Sequence, residues 1–215
     1  MKVPDPYVNY PPRWADYTAR GKLAYKVFSS ATHTNRFGAR YRLAKAFKGL
    51  NLDGYTNATA RGYDALTRAT LTWSAFELFL LATRRDKTAI PAISAAFDFR
   101  PCLEELRKAD PEGRFFKFVF EGLDSAAQKA EVDKFLKGAP CCAITLARAV
   151  RHIYIHGPLT PNANQASPDL VEAACNRLSQ QLVEIMDREF VALVEQLVAV
   201  HRPLDKPEPS DDFPF

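Results

Sequence analysis

Two arginines and two histidines lie within nine consecutive positions of an otherwise apolar segment. They are Arg148, Arg151, His152 and His156, and Gly157-Pro158 follows them directly. We refer to these four side chains as the Arg–His cluster. Histidine takes up and releases a proton near neutral pH, whereas arginine stays charged and binds phosphate oxygens through a forked pair of hydrogen bonds. Three roles are compatible with these residue types: metal binding, stabilisation of a helix end, and cleavage of a phosphodiester.

Metal binding is the least favoured of the three roles. His152 and His156 are four residues apart, so they share one face of a helix, as helical zinc ligands do. However, Ile153 stands where the H-E-x-x-H pattern has its glutamate, and the pattern of the chain reveals no third ligand. Two arginines beside the histidines would also repel a cation. We therefore expect neither a metal nor another cofactor.

A purely structural role is the second alternative. A histidine near the C-terminus of a helix interacts favourably with the helix dipole, and the stems of arginine side chains can cover apolar surface. In this interpretation the Arg–His cluster stabilises the end of a helix and covers apolar surface, and it carries out no chemistry.

The third alternative is cleavage of RNA without a metal. That reaction needs a base for the 2′-hydroxyl, an acid for the leaving oxygen, and cations for the charge that builds on phosphorus. Arg151 and His156 are separated by ~140° around an ideal helix and by ~7.5 Å along it, so they do not converge. A long arginine side chain, a distorted last turn or a second copy of the helix would have to bring the groups together.

The run Arg151-His152-Ile153-Tyr154-Ile155-His156 resembles the R-x(4–6)-H motif of the HEPN superfamily. In that motif a polar residue follows the arginine, and apolar residues fill most of the remaining positions. The context is also similar, because an earlier long helix carries Trp73 and Glu77 and another long helix follows the motif. The resemblance covers about residues 57–200. It implies a metal-independent endoribonuclease that acts as a homodimer, with the two motif helices facing each other across a cleft.

The same resemblance assigns roles to individual residues. Arg151 would bind and polarise the phosphate, His156 would be the base or acid, and His152 would be an orienting or second catalytic group. Arg148 lies outside the motif, one turn before Arg151, and is expected to contact RNA, as is Tyr154. Glu77 is either an accessory group at a buried polar site or a rim residue that touches water.

The family also suggests partners and an alternative function. Many members are toxins or defence effectors, so RNA and an antitoxin or other neutralising protein are the expected partners. Other members are inactive binding or scaffold proteins. The alternative is therefore a catalytically silent helical dimer that binds a partner or a nucleotide.

Composition indicates a globular protein with a sizeable core. The chain has 215 residues, of which 47% are hydrophobic and 25% charged. No run approaches the ~18 apolar residues that span a bilayer, and the N-terminus lacks the apolar part of a signal peptide, so we expect a cytoplasmic protein without membrane contact. Four free thiols are expected, because adjacent Cys141 and Cys142 cannot form a C-x-x-C motif.

Charge is distributed unevenly along the chain. Residues 1–50 contain ten Lys or Arg and two Asp, a balance of +8, whereas residues 157–215 contain four Lys or Arg and ten Asp or Glu, a balance of −6. The basic segment could attract RNA, or it could dock the acidic helix of a partner subunit.

Apolar periodicity and helix-boundary residues predict an all-α helical bundle with two long antiparallel helices and several short ones. Residues 1–55 form a basic N-terminal arm with helices, 56–201 the HEPN-like helical domain, and 202–215 an acidic, proline-rich tail. Within the arm, 1–12 is expected to be extended. A short strand is an alternative at 114–120, because Phe116, Phe118 and Phe120 fit a period of two. The predicted helices are 12–28, 35–48, 57–85, 90–97, 101–108, 115–122, 125–138, 141–156 and 168–200.

Overall fold

The computed structural model describes residues 6–20, 26–162 and 166–199. Within these ranges there are nine α-helices, a 3-10 turn at Lys87–Ala89, and no strand. The helices are α1 Trp14–Ala19, α2 Ala31–Ala46, α3 Asn57–Ala82, α4 Ile90–Ala95, α5 Arg100–Ala109, α6 Arg114–Gly122, α7 Ala126–Leu136, α8 Ala143–His156 and α9 Pro168–Ala199. The prediction of an all-α bundle with two long helices, α3 and α9, and several short ones is confirmed.

The two long helices run parallel, so the expected antiparallel pairing is wrong. Near the start of both helices, Arg61 pairs with Asp169 at 2.7 Å. Just beyond the end of α3, Arg85 pairs with Glu189 of α9 at 2.7 Å. The reason is that five helices lie between α3 and α9, and α8, the last of them, returns the chain to the start of α3.

Helices α2 and α8 supply the antiparallel neighbours of α3. The chain before α2 lies at the end of α3, where the Ser29 amide donates to the carbonyl of Ala82 at 2.8 Å. The end of α8 lies near the start of α3, where the hydroxyls of Tyr154 and Thr67 are 3.5 Å apart. The Arg–His cluster is therefore carried by a helix that packs along α3.

Several helix starts follow directly from the sequence. Ser167 caps α9, because its hydroxyl accepts a hydrogen bond from the amide of Leu170 at 3.3 Å, and Pro168 is the first residue of the helix. Thr56 caps α3 in the same way through the amide of Thr59. The apolar positions of α3 are buried in the core, among them Leu66, Trp73, Phe76 and Leu80.

The segment 114–120 is helical, so the alternative of a strand is wrong. Phe115, Phe116 and Val119 are buried on one side of α6, which is a helical spacing. The carboxylate of Asp110 accepts hydrogen bonds from the amides of Arg114 at 2.8 Å and Phe115 at 3.1 Å, and so fixes the first turn.

The N-terminal part differs from two predictions. The helix expected from Pro12 to Phe28 ends at Ala19, just before an Arg20-Gly21 sequence, and Phe28 lies in a bend. The expected extended arm contains a turn in which the amide of Tyr10 donates to the carbonyl of Tyr7 at 2.9 Å. Residues 1–5, 21–25 and the tail 202–215 lie outside the described ranges.

Some of the charged side chains form ion pairs within the chain. Arg13 pairs with Glu195 of α9 at 3.2 Å, and Arg85 with Glu189. The Tyr41 hydroxyl of α2 donates to the Asp187 carboxylate of α9. Of the cations in residues 1–50, Arg13 thus pairs with the acidic helix of its own chain, so part of the charge asymmetry is satisfied within the molecule.

Two further properties bear on the chemistry of the chain. All four cysteines are free thiols, as predicted, and burial raises the pKa of Cys102 to about 11. In the described part of the chain, no helix combines the length and the apolar character that crossing a bilayer requires.

Candidate active site

Helix α8 is amphipathic, and the Arg–His cluster occupies its outer face. Leu146, Val150 and Ile153 are buried against the bundle. On the opposite side, the first three members of the cluster are half-buried and His156 is exposed. The cluster side chains follow a spacing of three and four residues, so they form one continuous stripe along the helix.

The end of α8 is fixed by a close approach of two backbone segments. The amide of Gly157 donates to the carbonyl of Ile153 at 3.0 Å. A Cβ atom on Gly157 would lie only 2.8 Å from the same carbonyl oxygen, so this position has no room for a side chain. The helix ends at His156, as the Gly-Pro sequence predicts, and the last turn presents that histidine to solvent.

The two histidines of the cluster lie side by side. Their ring centroids are 5.2 Å apart, with an angle of 51° between the ring planes. Two imidazoles at this distance can act as a base and an acid on one substrate if one is neutral and the other protonated. Among the described residues, no group of three His, Cys, Asp or Glu side chains is arranged as metal ligands.

Arg148, Arg151 and His152 open into a cleft of about 490 Å³ between α8 and α3, which we call the α8 cleft. Glu77 of α3 stands at its rim and pairs with Lys87 at 2.8 Å. The predicted accessory residue therefore shares a cleft with three members of the cluster. The other lining residues are Trp73, Asp124, Ser125 and Gln128.

The α8 cleft carries a small excess of positive charge. Arg148 and Arg151 form no ion pair with any carboxylate of the described residues. Three cationic side chains and two carboxylates line the cleft, which leaves a balance of +1 when His152 is neutral. Two unpaired guanidinium groups on one wall can bind an anion such as a phosphodiester.

Two predicted residues lie away from the cleft. Tyr154 is half-buried, and its hydroxyl contacts the Thr67 hydroxyl of α3. It therefore faces α3 and is not part of the lining of the α8 cleft. His156 is also not part of that lining, although its ring contacts His152. Next to it, the aliphatic side chain of Ile155 is 44% exposed.

The sequence analysis did not indicate Lys87, Asp124, Ser125 or Gln128 as cleft residues. Lys87, Asp124 and Gln128 come from the 3-10 turn, the α6–α7 link and α7, and each is far from the cluster in sequence. No local motif marks them. Only the packing of these segments against α8 brings them together.

No protein-family model, curated protein or solved structure matches the chain. The geometry of α8 and its cleft is therefore the basis on which a function can be inferred.

Proposed function

We propose that the chain is a metal-independent, HEPN-like endoribonuclease whose active site is the Arg–His cluster. One observation carries the proposal: two adjacent histidines and two unpaired arginines share the accessible face of α8 beside a cleft of positive balance. The resemblance of residues 151–156 to the R-x(4–6)-H motif supports the same assignment.

The reaction would be an internal transfer on RNA. The 2′-oxygen attacks the adjacent phosphorus, the bond from phosphorus to the 5′-oxygen breaks, and the products end in a 2′,3′-cyclic phosphate and a 5′-hydroxyl. A neutral imidazole takes the 2′-hydroxyl proton, and a protonated imidazole gives a proton to the leaving 5′-oxygen. We assign these two roles to His156 and His152, with the exposed His156 in direct contact with the substrate.

The arginines would supply the positive charge. The Arg151 guanidinium can donate to two non-bridging oxygens of the scissile phosphate and offset the charge that develops there. Arg148 lies one turn earlier on the same face, where it can contact a neighbouring phosphate. Tyr154, on the side towards α3, is proposed as a further RNA contact.

A homodimer would complete this site. Arg151 lines the α8 cleft, whereas His156 lies outside it beside the exposed Ile155. A second copy packed against this face would cover Ile155 and could place its own His156 near Arg151 of the first copy. We propose that the two copies share their catalytic groups in this way.

A role as a toxin or defence effector is part of the proposal. An accessible cluster that cleaves RNA in the cytoplasm would harm its host, so a neutralising protein would be needed to cover the same face of α8. Expression of the wild type should then slow growth, and His156→Ala should relieve the effect.

The test is cleavage of labelled RNA in the presence of EDTA. We expect Arg151→Ala and His156→Ala to lower the rate at least about 100-fold, because each removes a group that acts in the transition state. Arg36→Ala is the matched control, since Arg36 is an exposed arginine on α2, and it should cut like the wild type. Circular dichroism checks that all variants are folded.

Other outcomes would contradict the proposal. Equal cleavage by the wild type and both cluster variants would assign the activity to another site or a contaminant. RNA binding without any cleavage would favour the catalytically silent dimer. A product that lacks the cyclic phosphate would rule out attack by the 2′-oxygen.

A further inference from the structure

A second, larger cleft adjoins the α8 cleft. It has a volume of about 710 Å³ and lies among α4, α5, α7 and the first turns of α8. We call it the adjoining groove. The two spaces share Lys87, Ser125, Gln128 and Arg148, so they meet at the start of the Arg–His cluster.

Half of the residues that line the adjoining groove are apolar. Burial raises the pKa of the Cys141 thiol to about 12, so this thiol is uncharged and adds to the apolar lining. A groove of this size that combines apolar side chains with polar groups is typical of sites for small organic ligands. The apolar lining residues include Ile90, Pro91, Phe97, Leu103 and Pro140.

Positive charge in the adjoining groove is concentrated at Arg148. Arg100 is paired with Asp98 at 2.7 Å, and Lys134 is paired with Glu131. The third cation, Lys87, is paired with Glu77 in the α8 cleft. Arg148 is the cation without such a pair in the lining, so one anionic group is expected at the junction of the two clefts.

Gln128 provides a polar group that lacks a partner. Its side chain is 5% exposed, and its Nε2 amide nitrogen finds no acceptor among the described residues. A buried donor without an acceptor is unfavourable for folding, so such groups in native proteins are usually satisfied by a ligand, an ion or water. The terminal amide can turn about its last bond, which would present the nitrogen to an acceptor in the groove.

We propose that the adjoining groove binds the nucleotide next to the scissile phosphate and selects its base. The phosphate of that nucleotide lies on Arg148, the base lies between the apolar walls, and Gln128 donates to an oxygen or ring nitrogen of the base. Proteins read single-stranded RNA by hydrogen bonds to the edges of bases held in such slots. This inference rests on the proposed function and adds sequence preference to it.

The test measures binding of labelled RNA hexamers that carry 2′-O-methyl groups and cannot be cleaved. Four homopolymers, of A, C, G and U, are titrated by fluorescence anisotropy. We expect the wild type to prefer one base by about five- to tenfold, which corresponds to one selective hydrogen bond. Gln128→Leu should reduce that preference to less than about twofold, whereas Arg148→Gln should weaken all four hexamers alike.

Thermal unfolding separates binding from a structural role. Gln128→Leu should unfold at the same temperature as the wild type or higher, because it removes a buried donor without a partner. Gln180→Leu is the matched control, since Gln180 is exposed on α9, and it should leave the base preference unchanged.

Several results would overturn the inference. It is wrong if Gln128→Leu keeps the preference of the wild type, if this variant is clearly destabilised, or if no hexamer binds. Because these hexamers cannot be cleaved, the result is independent of catalysis. Cleavage of ordinary RNA with an unchanged base preference in Gln128→Leu would overturn the groove and leave the ribonuclease proposal intact.

Discussion

Gly157 holds the last turn of α8 by its lack of a side chain. Its backbone has φ −124°, which any residue can adopt, so conformational freedom is not what the position requires. The requirement is space, because a Cβ atom would meet the Ile153 carbonyl oxygen at 2.8 Å. Backbone atoms cannot yield as a flexible side chain can. Any other residue must therefore displace the turn that carries His156.

We predict that Gly157→Ala lowers RNA cleavage at least about tenfold and lowers the free energy of unfolding by about 1 kcal/mol. Gly54→Ala is the control. Gly54 has φ +80° and open space around it, so alanine there is strained by a similar amount but lies outside the cluster. Urea unfolding measures the stability of each variant, and the cleavage rate is then expressed per folded molecule. This separates a loss of activity from a loss of stability. Equal activity of both variants would show that the last turn tolerates displacement.

Asp187 is a second residue whose surroundings determine a measurable property. It accepts a hydrogen bond from Tyr41 between α2 and α9, but burial outweighs this bond and raises the pKa of Asp187 above its usual range. A folded-state pKa above the unfolded value means that the folded protein binds the proton more tightly. Stability is then gained as the pH falls towards the ordinary pKa of aspartate, about 4, and lost as the pH rises to neutrality.

Asp187→Asn should therefore be more stable than the wild type at pH 7, because it removes a buried charge and keeps an oxygen that accepts from Tyr41. The advantage should shrink as the pH is lowered to about 4, where Asp187 is itself protonated. Urea unfolding of both proteins at several pH values checks this. A variant that is less stable at pH 7 would mean that the charge, with Lys45 nearby, stabilises the fold.

At the scale of elements, short helices pack against the buried face of α8. Gly122 of α6 packs so closely on Ile153 that a Cβ atom there would be 3.2 Å from that side chain. The position of α6 depends on Asp110, which is 3% exposed and accepts hydrogen bonds from the amides of Arg114, Phe115 and Phe116. These are amides of the first turn, which the helix itself cannot satisfy.

We predict that Asp110→Ala lowers the free energy of unfolding by about 2–3 kcal/mol, because it leaves several buried amides without an acceptor. Asp133→Ala, which breaks an ion pair with Lys137 on the surface of α7, is the control and should cost less than about 1 kcal/mol. Urea unfolding measures both values. Similar losses in the two variants would show that water or another group replaces the carboxylate.

At the scale of the whole molecule, local patterns predicted the helices but not their directions. The Ser167-Pro168-Asp169 start of α9 and the Gly157 end of α8 are short-range signals, and both occur where the sequence places them. Whether α3 and α9 run parallel depends on how five intervening helices turn the chain, which no local pattern encodes. The same limit applies to the cleft: the stripe on α8 could be read from its spacing, but the proximity of Asp124 and Gln128 could not.

The proposed dimer follows from the position of two groups on one helix. Arg151 faces the α8 cleft, and His156 lies beyond it beside the exposed Ile155. If one active site takes Arg151 from one copy and His156 from the other, two inactive variants can complement each other. A mixed dimer of Arg151→Ala with His156→Ala then has one site with both groups and one site with neither.

We predict that mixing these two variants restores RNA cleavage. Random exchange gives mixed dimers in about half of the molecules, each with one intact site of two, so about a quarter of the wild-type rate should return. Each variant mixed with itself is the control and should stay inactive. Ile155→Glu on both chains should abolish the recovery, because a charge at the exposed aliphatic position opposes association. If the mixture stays inactive while dimers form, each active site lies within one copy, and His156 must then reach Arg151 of its own chain by a change in the last turn of α8.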